Sequence, residues 1–270
     1  MPPKSVRFSR IADLPHLELY RTTNVSACVP RHIHWVFSLS VIEAGVRIHG
    51  TKQEKYYVTP GSIAVVNLGE AHFSSTPDGC TASSNSLRVD AKMLNTLVRQ
   101  VSGRDHATVH FRQPVIDDPD LFRQILNLCA VLGDCPSKLE MECLILAAFA
   151  KLCERHSREG LAPVVPGNEH TLVTRTCEFL QDCYNENVSL HRLGTIAGLS
   201  PFHLSRVFTK QIGVPPHTYQ LQIRLKKATD LLASGRSIAE VAVETGFCDQ
   251  SHFQRAFKRK FGITPGQYEW

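Results

Sequence analysis

The last third of the chain carries nearly the same short text twice, at an offset of 49 residues. Ser200 to Tyr219 reads SPFHLSRVFTKQIGVPPHTY, and Asp249 to Tyr268 reads DQSHFQRAFKRKFGITPGQY. Six aligned positions are identical: His203/His252, Arg206/Arg255, Phe208/Phe257, Gly213/Gly262, Pro216/Pro265 and Tyr219/Tyr268. An internal repeat constrains the fold before any single residue does. A duplicated helical unit with a basic residue at the same register in each copy suggests two matched prongs gripping something periodic.

Bulk charge does not identify that partner. The formal net charge of +5 is spread over both halves, with 18 basic and 16 acidic side chains in residues 1–167 against 12 and 9 in residues 168–270. A polyanion is permitted and not required, so placement has to decide. At 270 residues the chain is long enough for two domains. No apolar run approaches the ~20 residues of a membrane span, and Met1 to Arg10 is polar and basic with no apolar core of a signal peptide. Nine scattered cysteines without a CxxC predict free, mostly buried thiols in a reducing cytoplasm.

The texture changes along the chain. Ile33, Trp35, Phe37, Leu39 and Val41 alternate strictly, which predicts a half-buried strand. That alternation puts His32, His34, Val36, Ser38 and Ser40 together on the opposite face. Thr59-Pro60-Gly61-Ser62 suits a type II turn, and several short strands in 30–90 predict a sandwich or barrel. From Asp90, a plausible N-cap, the pattern turns helical, with a short strand predicted at Thr108 to Arg112. Helices follow from Pro119 to Leu132 and from Pro136 to Arg158, each with Pro near its start. In the second, Leu139, Cys143, Leu146, Ala150 and Cys153 form an apolar stripe. Such a stripe packs on its own domain or pairs with a second copy. Gly160 to His170, with two prolines and two glycines, reads as a linker. The chain therefore divides into 1–160, a linker at 161–170, and an all-helical 171–270.

Each copy of the repeat reads as a helix-turn-helix, whose second helix enters a DNA major groove. Ser189 caps LHRLGTIA, which ends near Gly198, and Ser200 caps the next helix with Pro201 at its first position. Leu204, Val207, Phe208 and Ile212 fall on the core side; Phe202, Ser205, Arg206, Thr209 and Lys210 fall on the other. In the second copy Ser237 and Glu240 form a capping box, Gly246 makes the turn and Asp249 caps the last helix. There Phe253, Ala256, Phe257 and Phe261 face the core, and Gln250, Ser251, Gln254, Arg255 and Lys258 face out. Arg suits guanine, Gln suits adenine, and Ser and Lys suit phosphates or base edges. Between the copies, His217 to Ser234 spans roughly 27 Å as a helix, against about 34 Å between successive major grooves on one face of DNA. Exposed Arg and Lys on a plain helical bundle would be the competing explanation. Two copies with Arg at one register argue against it.

The stretch Gly246 to Tyr268, GFCDQSHFQRAFKRKFGITPGQY, resembles the C-terminal signature of AraC/XylS-type transcriptional regulators. The resemblance covers Glu169 to Trp270. It implies that Phe202, Ser205 and Arg206 in one helix, and Gln250, Ser251, Gln254 and Arg255 in the other, contact promoter DNA; His203, Thr209, Lys210 and Lys258 on the same helices are further candidates for that contact. It departs at Gly194, where alanine is usual; glycine inside a helix costs about 1 kcal/mol, so a looser supporting helix is expected. His32-Ile-His34, Pro60-Gly61 and His72 resemble the cupin-type sensor domain of the same family. The implied architecture is α+β: an N-terminal cupin-like β-barrel with flanking helices, then an all-α domain of two helix-turn-helix units joined by a long helix.

A metal-binding cupin places a carboxylate near position 38, where this chain has Ser38. Glu43 comes too late and with the wrong parity. No metal, cofactor or catalytic residue is therefore expected, and His32, His34, Ser38 and His72 are candidates for holding a small polar or anionic effector. Structural histidines at a barrel mouth are the alternative. The resemblance also implies a homodimer through helices in 119–158, an activator working with RNA polymerase, and no membrane partner. The competing functions are a metal-dependent cupin enzyme with a helical appendage, and a redox- or metal-sensing DNA-binding regulator.

Overall fold

The computed structural model describes residues 4–11, 14–33, 36–51, 54–103, 109–134, 136–158, 170–261 and 263–268. His34 and nearly all of the linker expected at 161–170 lie outside the described residues. The chain forms two compact units, residues 1–132 with 146–163, and residues 133–145 with 164–270. Among the described residues no helix is long and apolar enough to cross a membrane.

Among the described residues the first unit holds ten strands: β1 (Ser5–Ile11), β2 (Leu14–Val25), β3 (Cys28–His32), β4 (Val36–Gly45), β5 (Arg47–Gly50), β6 (Lys55–Val58), β7 (Ile63–Val66), β8 (His72–Ser75), β9 (Ala82–Asp90) and β10 (Val115–Ile116). They make a six-stranded sheet, β1-β2-β9-β4-β7-β10, and a four-stranded sheet, β3-β8-β5-β6, with antiparallel pairing throughout. Period-two alternation divides the larger sheet into two faces. Leu17 and Leu19 on β2, Phe37, Leu39 and Val41 on β4, and Leu87 and Val89 on β9 are buried on one face. Helices α1 (Ala91–Ser102) and α2 (Pro119–Leu132) pack there, and Phe37 meets Phe149 of α3 (Lys138–His156) at 5.8 Å between ring centroids. The opposite face carries Thr22, Ser38, Ser40, Ser84 and Ser86 and turns toward the smaller sheet.

The alternation expected from Ile33 to Val41 as one strand is interrupted. His32 ends β3 in the small sheet, Ser38 lies on β4 in the large one, and Ile33 is exposed. Crossing between sheets at this point carries His32 and Ser38 to opposite walls of the same interior, a placement that alternation along one strand could not foresee. The strand expected at Thr108 to Arg112 is, among its described residues, only an isolated bridge from Phe111 to Ser157, and the pairing strand is β10. The Thr59–Ser62 turn forms as expected, with Gly61 at φ 93° and the Ser62 N–H donating to the Thr59 carbonyl at 3.1 Å. Asp90 caps α1, accepting from the Met93 N–H at 2.8 Å.

The second unit is built from α4 (His170–Asp182), α5 (Leu190–Ala197), α6 (Pro201–Ile212), α7 (Pro216–Ala233), α8 (Ile238–Glu244) and α9 (Gln250–Phe261), with a 3₁₀ turn at Pro265–Gln267 and the first turns of α3. The caps read from sequence are present: Ser189 on α5, Ser200 on α6, a Ser237–Glu240 capping box on α8, and Asp249 accepting from the His252 N–H at 2.6 Å on α9. The repeat's shared Phe and Tyr are scaffold. Phe208 meets Tyr219 edge-to-face at 5.6 Å, and Phe257 meets Tyr268 in the same manner at 5.4 Å. Leu225, Ala228 and Leu232 on α7 join Val241, Ala242, Phe253 and Phe257 in one core.

Candidate functional site

In the second copy the outward set reads as expected: Gln250, Ser251, Arg255 and Lys258 are exposed on α9 and Gln254 is half-buried. Arg255 makes an ion pair with Asp134 at 2.6 Å, with both side chains nearly half exposed. Such a pair is worth about 0–1 kcal/mol, so Arg255 is easily freed for another anion.

The first copy differs from its reading. Arg206 and Lys210 are exposed, but Phe202 is buried, with the Arg206 guanidinium 5.7 Å from its ring. An aromatic at i with Arg at i+4 stacks along the helix, so the arginine stem covers the ring. Ser205 and His203 are half-buried, Ser205 lying near the Cys143 thiol of α3, while the Thr209 hydroxyl donates back to the Ser205 carbonyl at 2.7 Å. Ile212, expected in the core, is 38% exposed at the helix end. The first turns of α3 lie against α6, a long-range contact with no local signal in the sequence. Gly194 is not a weakness: a Cβ there would meet the Leu199 carbonyl oxygen at 2.7 Å, so the close turn between α5 and α6 needs glycine.

Two residues that sequence reading passed over hold the unit together. Gln220 and Arg224, on α7, are 2% and 4% exposed. The Gln220 amide donates to the Tyr184 and Glu186 carbonyls at 3.2 and 3.1 Å, and the Arg224 guanidinium donates to the same two at 2.7 and 2.9 Å. Burial lowers the Arg224 pKa to about 10, where it remains cationic at neutral pH. Gly246, in the turn after α8, has φ 78° and presses on Asn185, whose carbonyl oxygen lies 2.2 Å from where a Cβ would stand. The 184–186 turn is thus gripped by the connecting helix α7 and by the turn of the second helix-turn-helix.

His217 sits at the start of α7 with Nδ1 buried and unpartnered, and desolvation lowers its pKa to about 4. Unfolded histidine titrates near 6.5. The unfolded chain therefore takes up a proton that the fold refuses, and stability falls as pH drops from about 6.5 to 4. The expected loss is about 2–3 kcal/mol at pH 4. Urea titrations at several pH values should show His217→Phe flattening this part of the profile.

The first unit encloses a cavity of about 190 Å³ between its two sheets. His32, Ser38 and His72 line it, and the His32 and His72 rings are 4.3 Å apart. Sequence reading missed the cavity's cations, Arg47 on β5 and Arg88 on β9, as well as His49 on β5 and Tyr20 on β2. Arg47 and His49 were hidden in a four-residue strand with no patterning of its own. Among the described residues no group of three or more His, Cys, Asp or Glu side chains is placed to hold a metal ion. Of the eight described cysteines three are buried, two half-buried and three exposed, so the expectation of mostly buried thiols is too strong. Burial pushes Cys129 and Cys143 up to about 12.

Residues 14–149 match the model of the AraC-like ligand binding domain, and residues 193–269 match that of a helix-turn-helix domain. A cupin-like ligand-binding domain carried with a duplicated helix-turn-helix defines a DNA-binding regulator of transcription. The chain is 32% identical over 237 residues to the uncharacterized HTH-type transcriptional regulator YbfI of Bacillus subtilis, covering 88% of this chain and 86% of that one. It is 25% identical over 248 residues to the HTH-type transcriptional activator RhaS of Escherichia coli, covering 87% and 86%. The chain belongs to the AraC family of transcriptional regulators. Among solved structures, the C-terminal domain of the response regulator yesN from Fusobacterium nucleatum shares 33% identity at a TM-score of 0.34, covering 38% of this chain and 98% of that one.

Proposed function

We propose that this protein is a cytoplasmic, sequence-specific activator that binds promoter DNA through α6 and α9 and senses a small molecule in its N-terminal barrel. The observation that carries this reading is the pair of capped helices with exposed arginines at one register, Arg206 and Arg255. In this reading residues 1–160 sense and dimerise, 161–170 link, and 171–270 read DNA. Arg206, Lys210, Gln250, Ser251, Arg255 and Lys258 are positioned for direct contact. Phe202, His203, Ser205, Gln254 and Thr209 shape the contacting surface. His32, Ser38 and His72, with His34, are assigned to the effector. The stripe on α3 is buried within the chain, so a dimer through residues 119–158 would use the outward faces of α2 and α3. Activation, with RNA polymerase as partner, follows the relative named an activator. A ligand acts by binding one arrangement of the sensor and reader better than another.

The test is a pair of variants on one genomic fragment selected by the purified protein. Arg255→Ala should cost about 1–3 kcal/mol on that fragment and relax base preference there. Lys258→Ala should weaken binding to specific and random DNA alike and reduce the salt slope by about one. Identical behaviour of the two on both DNAs would sink the division between base and phosphate contacts. No selection of any fragment would sink the reading itself.

A further inference from the structure

The barrel interior carries more positive charge than a neutral solute needs. Arg47 enters the cavity from the small sheet beside the imidazoles of His49 and His72, Arg88 enters from the large one, and among the described residues no Asp or Glu lines it. Glu18 stands opposite Arg88 in the strand register without lining the cavity. Glu70 accepts from the Asn67 side-chain amide and backbone N–H, both at 3.1 Å, and its charge is felt at His49. Arg47 Nε and Arg88 Nε are buried without hydrogen-bond partners, and His49, 5% exposed, has an unpartnered Nε2. Arg47 reaches the Ser74 hydroxyl only at 3.5 Å, and the Arg88 guanidinium lies 5.0 Å from the Tyr20 ring. Holding cations this way is costly until an anion neutralises them.

The rest of the lining narrows the anion. Thr22 and Ser84 pair at 2.9 Å and Ser40 and Ser86 at 2.7 Å, a wall of hydroxyls with donors and acceptors left over. Ile42, Val58 and Val66 add an apolar patch for a carbon skeleton. A cavity of about 150 Å³ takes benzene, so this one takes a ligand of roughly eight non-hydrogen atoms by the same measure.

We propose that the cavity binds a short hydroxy acid of about four carbons, its carboxylate held by Arg47 and Arg88 and its hydroxyls by the Ser/Thr wall. Arginine is suited to this because its planar fork matches a carboxylate with two parallel hydrogen bonds. The inference rests on the cavity being the effector site and names the chemistry of its occupant.

Titration calorimetry on the full chain tests it, with L-threonate and L-tartrate as probes, threitol as the neutral analogue of the same skeleton, and inorganic phosphate as a second oxyanion. At least one of the acids should bind at least tenfold tighter than threitol and phosphate. Arg47→Met and Arg88→Met should each weaken that acid tenfold or more while leaving the thermal midpoint of the unliganded chain unchanged or higher. Equal or better binding of threitol, preference for phosphate, or failure of both acids to bind wild-type protein would overturn the proposal, with no variant needed. Binding is read without DNA, so loss of the DNA-binding reading would leave this result standing. Acid binding that leaves DNA affinity unchanged would instead count against the effector role.

Discussion

The double variant Gln220→Leu, Arg224→Met should lose more stability than the sum of its single variants, about 5–6 kcal/mol against about 2 kcal/mol for each alone. Both side chains donate to both carbonyls of the 184–186 turn. Removing one leaves each carbonyl with a donor, and losing Arg224 also relieves the cost of burying its charge. Removing both orphans two buried acceptors, each worth about 1–3 kcal/mol. A loss of that size is comparable to the whole stability of a small domain. Urea denaturation followed by tryptophan-independent far-UV signal would measure the cycle. Additive single and double costs would show that the two side chains do not share the turn. Because the turn also abuts Gly246, the DNA affinity proposed for α9 should fall together with stability.

What the sequence made legible was local and periodic. The second helix-turn-helix could be read nearly residue by residue, because its caps at Ser237 and Asp249, its turn glycine and its Phe253, Ala256 and Phe257 face are all set by neighbours within a few positions. The repeat's Phe and Tyr could be assigned to scaffold for the same reason, since each pair closes one unit. Where contacts run between distant segments, the reading failed. Phe202 and Ser205 looked outward by helical phase but are covered, and Ser205 meets Cys143, which comes from a helix 62 positions earlier in the chain. Gln220 and Arg224 carry no local signal, because nothing nearby in the sequence announces that two carbonyls from another turn need donors.

The barrel shows the same division. Alternation correctly separated Phe37, Leu39 and Val41 from Ser38 and Ser40, since side-chain direction in a strand depends only on parity. The histidines drew attention through their resemblance to a metal-binding pattern, and that drew it away from Arg47 and Arg88. An arginine in a strand is usually a solvated edge residue, and only the pairing of sheets turns these two inward. Composition could not show it either, because the cavity's charge is local while the charge of the first 167 residues is nearly balanced.

In the first unit the corresponding structural anchor is Asp118, and Asp118→Ala is expected to cost about 2–4 kcal/mol. Its side chain accepts from the Leu121 N–H at 3.0 Å, capping α2, and from Arg155 and His156 at 3.0 Å each, at the far end of α3. Burial alone would raise its pKa, but the Leu121 N–H, His156 and Arg155 outweigh it and hold the carboxyl well below the usual range. Arg155 is nearly half exposed and regains water when the carboxylate is removed, so the ion pair contributes less than the cap and the His156 bond together. Asp118→Asn keeps the cap and should cost about half as much. The carboxylate's contribution is fully present above the unfolded pKa of 3.8 and is lost as pH falls below it. The wild-type chain should therefore lose stability in that acid range, and Asp118→Asn should lose less. Thermal melts of the three chains between neutral pH and the acid range would show the curves converging. Parallel curves would mean that Asp118 holds α2 and α3 by packing rather than by charge.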